Sequence, residues 1–368
     1  MSEESVKIWK KFANRVVHAS AIPFPLSDTL IDLLKVLATE EEAKFLHIFR
    51  KPSMNLEEIK EKSKLDEKEI MDMLSVLTHK GVIIESKSRR TGITVYTLMG
   101  PFPGMFEYSL MRGETGEREK KLVKLFEKIF VEFCSGMQQN YDNVIPKLKE
   151  YPPIARVIPV EEEIEVPKEV ILSSEQVSKL IDQHETISLS KCYCRHEKDL
   201  IGDRCKRTND RENCLQMGKV AEFCIKEGFS KPVSKDEAKK IMKRAEEKGL
   251  VHKVFHTKAN VDKDIEAVCS CCPCCCGIFR LYYMGGMPLH TYSAFIAKIN
   301  EEECSGCETC VDMCPMEAIE MKDYKATINE NKCIGCGVCA HFCNSENILM
   351  ERTGPRDVFV PPPKVEYT

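Results

Sequence analysis

The chain has 368 residues, 43% hydrophobic and 30% charged, a size for two or three domains and a composition that excludes disorder, collagen and coiled coil. Its 54 basic and 58 acidic residues give a formal charge of -4, so no polycationic surface is offered to nucleic acid. No stretch approaches the roughly 18 to 20 consecutive apolar residues that span a bilayer, and the start MSEESVKIWKKF is charged where a secretory core is apolar, so a cytoplasmic protein without membrane insertion is expected.

Residues 1–38 read as an N-terminal segment of two helical stretches, broken where Pro23 and Pro25 interrupt the pattern, and no function attaches to them. From Thr39 the text becomes a small helical unit. TEEEAKFLHIF takes Thr39 as N-cap, NLEEIKEKS takes Asn55 as N-cap with Glu58 three residues on, and DEKEIMDMLSVLTHKG stops at Gly81. Ile70, Met73, Leu74 and Leu77 repeat at helical spacing. VIIE and ITVYTL then read as a hairpin whose turn holds Arg89, Arg90 and Gly92. Three helices followed by a hairpin, over residues 39–99, resemble a winged helix-turn-helix domain. A helix from about Glu117, with Leu122, Phe126, Ile129, Phe130 and Phe133 as one apolar stripe, completes a winged-helix-like and helical docking domain over 39–150. Pro152 to Pro167 is rich in proline and acid, and predicts an extended linker over 151–170.

The next segment, 171–296, is read as a helical, cysteine-rich domain. Helices are expected after Ser174, from about Lys219 to Gly228, and from Ser234 to Gly249, the last with Ala238, Ile241, Met242 and Ala245 inward. The segment ends in VCSCCPCCCG, and a strand-like FIAKIN leads into a final domain over 297–352, followed by an extended tail over 353–368. Fold class is accordingly α+β.

Twenty cysteines, roughly one residue in eighteen, dominate the chemistry. In a reducing compartment such density points to metal rather than disulfides. Residues 304–314 and 333–343 both read C-x2-C-x2-C-x3-C, 29 residues apart, and Ile319 and Met321 align with Ile348 and Met350 at the same offset. This internal repeat resembles a bacterial-type ferredoxin domain holding two [4Fe-4S] clusters, over about 297–351. The resemblance implies crossed ligands: Cys304, Cys307, Cys310 and Cys343 on one cluster, Cys333, Cys336, Cys339 and Cys314 on the other. Gly306, Gly335 and Gly337 suit loops that turn sharply around sulfur. Pro315 matches the family's proline after the fourth cysteine, whereas its counterpart is Asn344, a departure that spares all eight ligands. Paired zinc sites are the competing reading, but zinc motifs pair two separated C-x2-C knuckles rather than repeating a triple run.

Of the other twelve thiols, Cys134 and Cys224 sit singly on expected helices and read as small buried hydrophobes. Ten remain as candidate metal ligands: Cys192, Cys194, Cys205 and Cys214, then Cys269, Cys271, Cys272, Cys274, Cys275 and Cys276, six thiols in eight residues. They could serve one or two further iron–sulfur clusters. One partition gives the first four to one centre and four of the later six to another; crossed ligation, with neighbours such as Cys271 and Cys272 facing different centres, stands beside it, as do a structural zinc and a cluster of unusual shape. Arg195 and His196 could give a nearby cluster positive charge or hydrogen bonds, or simply lie in a charged loop.

A winged-helix-like start, C-x-C-R, the CCPCCCG run and a dicluster domain together look like a family of large iron–sulfur proteins of anaerobes. That resemblance implies an electron-transfer component that docks on a redox protein or oxidoreductase complex, rather than a stand-alone enzyme; homo-oligomerisation stays open. No G-x-G-x-x-G or G-x4-G-K-[ST] loop supports a nucleotide, flavin or nicotinamide. Two rivals remain: a redox-sensing winged-helix transcription regulator, and a reductase using an unusual central cluster. The expected recognition helix from Asp66 to Lys80 holds Asp66, Glu67, Glu69 and Asp72 against Lys68 and Lys80, a net -2 that faces phosphate poorly.

Overall fold

The computed structural model describes residues 2–20, 22, 24–88, 91–148, 155–164, 175–256, 265–287, 291–354 and 360–367. Arg89 and Arg90, expected in the hairpin turn, Pro23, and both ends of the Pro152–Pro167 stretch lie outside these. Two compact units divide the chain: Met1–Phe133 with His196–Asp203 and Phe223–Ser230, and Cys134–Arg195 with Arg204–Glu222 and Lys231–Thr368.

The first unit opens with α1 (Glu3–Ala19), α2 (Asp28–Leu37) and α3 (Glu40–Leu46), then β1 (Ser53–Asn55), α4 (Leu56–Ser63), α5 (Glu67–His79), β2 (Ile83–Lys87) and β3 (Thr94–Leu98). Helices α3, α4 and α5 each start on a capping box, Thr39 with Glu42, Asn55 with Glu58 and Asp66 with Glu69, so orphan N–H groups are satisfied locally at every start. β1 pairs with β3 and β3 with β2, both antiparallel, making a three-stranded sheet where a two-stranded hairpin was expected. Then come α6 (Met105–Leu110) and the long α7 (Glu117–Gln139). Phe102, Phe106, Phe126 and Phe130 meet edge to face at centroid distances of 5.1 to 5.8 Å, the geometry that the ring quadrupole favours.

Next along the chain come α8 (Tyr141–Leu148), β4 (Ala155–Ile158), a 3-10 turn (Glu161–Glu163), α9 (Val177–Asp182), β5 (Ile187–Lys191), α10 (Tyr193–Leu200), β6 (Glu212–Met217), α11 (Gly218–Lys226), β7 (Lys231–Pro232), α12 (Lys235–Glu246), β8 (Val251–His256), β9 (Ile265–Cys271) and α13 (Gly277–Tyr283), all in the second unit save α10 from His196 and α11 from Phe223. The six strands form one antiparallel sheet in the order β4-β8-β9-β6-β5-β7. The expectation of a helical cysteine-rich region is therefore corrected: the helices are there, with Ser234 capping α12 as read, but a sheet carries the cysteines. The linker reading changes too, because four of its residues are the strand β4, hydrogen-bonded to β8. Alternation along the strands sorts the two faces. Leu189, Leu215, Val254 and Val268 join Leu180, Ile181, Ala238, Ile241 and Met242 in one apolar cluster, so Ser190, Cys214, Lys253 and Cys269 point the other way.

Last come β10 (Phe295–Ile299), α14 (Thr309–Met313), β11 (Ile319–Lys322), β12 (Lys325–Ile328), α15 (Val338–His341) and β13 (Ile348–Arg352). β10 pairs with β13 and β11 with β12, so each half of the repeat ends in a strand. The described tail is held by the chain itself: Tyr141 Oη donates to the Pro362 carbonyl at 2.5 Å, Gln138 Nε2 to that of Pro363 at 3.2 Å, and Lys364 pairs with Asp142 at 2.9 Å.

Candidate metal centres

None of the twenty cysteines is in a disulfide. In the C-terminal repeat, Cys304, Cys307, Cys310 and Cys343 line one cavity with Ile299, Ala326 and Ile348. Cys314, Cys333, Cys336 and Cys339 line a second, with Ala297, Met316, Ile319, Ile328 and Ile334. Each cavity thus draws three thiols from one loop and the fourth from the other copy. The loops turn tightly: Gly306 and Gly335 have φ of +69° and +67°, and a Cβ on them would meet the carbonyl oxygens of Tyr324 and Phe295 at 2.6 and 2.0 Å.

The two sets differ in exposure and in the state of their sulfur. Cys307 is exposed and Cys304 and Cys343 are half-buried, whereas Cys333, Cys336 and Cys339 are buried. Backbone N–H groups of Ala326 and Gly306 hold the Cys304 thiol below its ordinary pKa, and the Thr309 hydroxyl does the same for Cys307. Burial pushes Cys336 and Cys339 up. Inner thiols such as these two, which resist ionising by themselves, fit a site whose metal holds them as thiolates. Asn347, which the sequence reading passed over, accepts the Cys343 thiol at 2.7 Å and anchors its own amide on the Asn300 carbonyl at 2.9 Å.

The ten central thiols form two groups, and neither is the partition by sequence order. Cys205, Cys272, Cys274 and Cys275 have sulfurs all within 4.8 Å of one another. Of the other six, Cys214, Cys269 and Cys271 lie on strands β6 and β9, while Cys192 and Cys194 come from the start of α10 and Cys276 from the start of α13. Cys214 and Cys269 are directly paired across β6 and β9, with sulfurs 3.5 Å apart; Cys269 contacts Cys271, Cys271 contacts Cys276, and Cys276 contacts Cys194. Cys192 lies within electrostatic reach of Cys214 and Cys276. The adjacent Cys271 and Cys272 do fall in different groups, as do Cys275 and Cys276.

Two buried cations lie among the central thiols. Arg195, 1% exposed, donates to Asn213 Oδ1 at 2.7 Å and to the Ser270 carbonyl at 2.8 Å. Burial opposes its charge, but the thiols of Cys192, Cys272, Cys205 and Cys271 hold its pKa well above the ordinary value. Lys253 sits opposite Cys269 in the β8–β9 register, with Nζ 3.6 Å from the Phe279 ring centre. Burial lowers its pKa, against the thiols of Cys276, Cys271, Cys336 and Cys269. Lys253 therefore feels both the six-thiol group and the inner C-terminal set. Nothing in the local sequence marks it, since VHKVFH reads as an ordinary strand. His196 takes no comparable place: its Nε2 pairs with the Glu114 carbonyl at 2.7 Å. Cys134 and Cys224 are fully buried, as expected of small hydrophobes.

Residues 296–344 match the family model of the 4Fe-4S dicluster domain. No curated protein matches the chain. The match covers the repeat alone, and it points to iron–sulfur electron transfer for that domain. Among the described residues no helix is long and apolar enough to cross a membrane.

Proposed function

We propose that the chain is a cytoplasmic electron-transfer protein that docks on an oxidoreductase partner, with Cys304, Cys307, Cys310 and Cys343 holding one [4Fe-4S] cluster and Cys333, Cys336, Cys339 and Cys314 the other. The observation that carries this reading is the interleaving of the two loops around two separate cysteine-lined cavities. Bound there, cubane clusters would supply single-electron storage at low potential. The chain's own residues supply the rest. Exposed Cys307 leaves the outer site within a partner's reach, while Ile319, Ile328 and Ile334 keep water from the inner one.

The six-thiol group supports a third iron–sulfur centre. One cubane takes four thiolates, so six leave room for a larger cluster or an exchangeable ligand, and this favours a second reading in which that centre performs a reduction itself. Arg195 and Lys253 would offset its negative charge, because buried thiolates without counter-charge are costly.

Helices α3 to α5 with the sheet β1-β3-β2 support a winged-helix-like module, used for protein docking. α5 exposes Met71 and Val76 beside Glu67, Glu69 and Asp72, a surface that suits a protein better than phosphate. The test is anaerobic reductive titration. Two or more one-electron equivalents per chain, passed on to an oxidised acceptor protein, support the proposal. A chain that takes up no electrons refutes it, and a shift of labelled duplex DNA at moderate salt would favour the regulator instead.

A further inference from the structure

The quartet Cys205, Cys272, Cys274 and Cys275 is built on a different scale from the C-terminal sets. Its sulfur separations include 3.7 Å for Cys205–Cys272, 3.8 Å for Cys205–Cys274 and 3.7 Å for Cys274–Cys275. Four thiolates around one ion at about 2.3 Å stand at the corners of a tetrahedron with edges of about 3.8 Å. A cubane instead puts each thiolate on a different iron, with four irons and four sulfides between them, so its sulfurs stand farther apart. The C-terminal cysteines provide the internal control: among the described residues, the quartet is the one set of three or more His, Cys, Asp or Glu whose ligand atoms all lie within 4.8 Å of one another.

We infer that Cys205, Cys272, Cys274 and Cys275 bind a single zinc ion as a closed tetrathiolate site, and not an iron–sulfur cluster. All four positions are protein sulfur, so no place is left for water or substrate, which is the pattern of a structural site. Cys272 and Cys275, each 1% exposed, lie beneath Ala245 and Leu250, while Cys205 and Cys274 form the half-exposed rim. The backbone N–H groups of Arg207 and Lys206 bond to Cys205 and Cys274, and Arg195 lies within electrostatic reach of Cys205 and Cys272. Four thiolates on a divalent ion carry a net charge of about -2, which these donors and the guanidinium offset.

The site ties the loop after α10 to the turn after β9, 67 residues away. Cys271, the last residue of β9, and Cys276, at the start of α13, flank that turn, so the zinc would fix where two of the six neighbouring thiols stand. This positioning role rests on the reading of the six-thiol group as an iron–sulfur centre; the zinc assignment does not.

The full chain, produced anaerobically with both iron and zinc supplied, tests the inference. Elemental analysis should find about one zinc per chain, and Cys205→Ala and Cys274→Ala should each lower it to roughly a tenth of that while the reduced-cluster resonance of the C-terminal sets stays unchanged. X-ray absorption at the zinc edge of the unaltered protein, which needs no variant to fold, should show about four sulfurs near 2.3 Å and no metal–metal scattering. Loss of about four irons from a chain that holds no zinc before substitution overturns the inference in favour of a cubane. Loss of about one iron from a zinc-free chain overturns it in favour of mononuclear iron. Either result leaves the eight C-terminal ligands untouched, so it is distinct from a failure of the electron-transfer reading.

Discussion

Arg195 is the place where burial and charge make the sharpest quantitative demand. Its guanidinium donates to the Ser270 carbonyl at 2.8 Å, between Cys269 and Cys271, which puts a permanent positive charge within roughly 7 Å of thiolate sulfur. At an effective dielectric constant of about 20, one unit charge at that distance is worth roughly 2 kcal/mol. On a one-electron couple, where a factor of ten is 59 mV, that is ~100 mV. Reduction adds negative charge, so the cation favours the reduced state, and Arg195→Gln should make the couple of the proposed six-thiol centre more negative by ~100 mV. Arg195→Lys keeps the charge and should return most of the shift. The assay is a redox titration of the full protein followed by electron paramagnetic resonance, with the exposed C-terminal cluster as an internal reference that moves by less than about 20 mV. Removing the guanidinium also leaves Asn213 Oδ1 and the Ser270 carbonyl without that donor, so some loss of thermal stability is expected as well. A lowered melting temperature with every potential unchanged would refute the electrostatic argument and leave Arg195 a purely structural strut.

Crossed ligation makes a second prediction. Cys314→Ser should alter the cluster held by Cys333, Cys336 and Cys339, and Cys343→Ser the more exposed one, with the reverse pattern in resonance spectra counting against the lining of the two cavities. Glu107 gives a pH prediction. Burial raises its carboxyl to about 7, although the Gly104 N–H bonds to it at 2.5 Å. A folded-state pKa above the unfolded one means that the folded chain holds the extra proton, so this contribution to stability is full at about pH 4 and is lost as pH rises through 7. Glu107→Gln should therefore gain stability relative to the parent between pH 5 and 8, by about 1 to 3 kcal/mol. Melting curves at the two pH values check it; a pH-independent difference would mean that the carboxyl titrates normally.

The C-terminal repeat was legible because its information is local: thiol spacing within eleven-residue loops, and a turn chemistry that Gly306 and Gly335 announce. The helix starts at Thr39, Asn55 and Ser234 were legible for the same reason, since a cap and its N–H partner lie three residues apart. The central sheet was not. β6 reads ENCLQM and β9 IEAVCSC, and both are buried on both faces, so their polar and thiol residues do not alternate with water in the way that marks a half-exposed strand. The division of the ten central cysteines followed from the missed sheet. Register puts Cys214 opposite Cys269 and Lys253 opposite Cys269, and no counting along the chain could bring those partners together. Proline and acid drew the linker reading over residues 155–158, which pair as a strand at the edge of that sheet.

Iron and acid-labile sulfide counts on anaerobically purified protein, with electron paramagnetic resonance after reduction, decide the matter most directly. The two C-terminal sets alone require about eight of each per chain and the spin-coupled signal of two neighbouring reduced cubanes, with further iron from the six-thiol group. Colourless protein with zinc in both C-terminal cavities, no sulfide and no signal on reduction would contradict it.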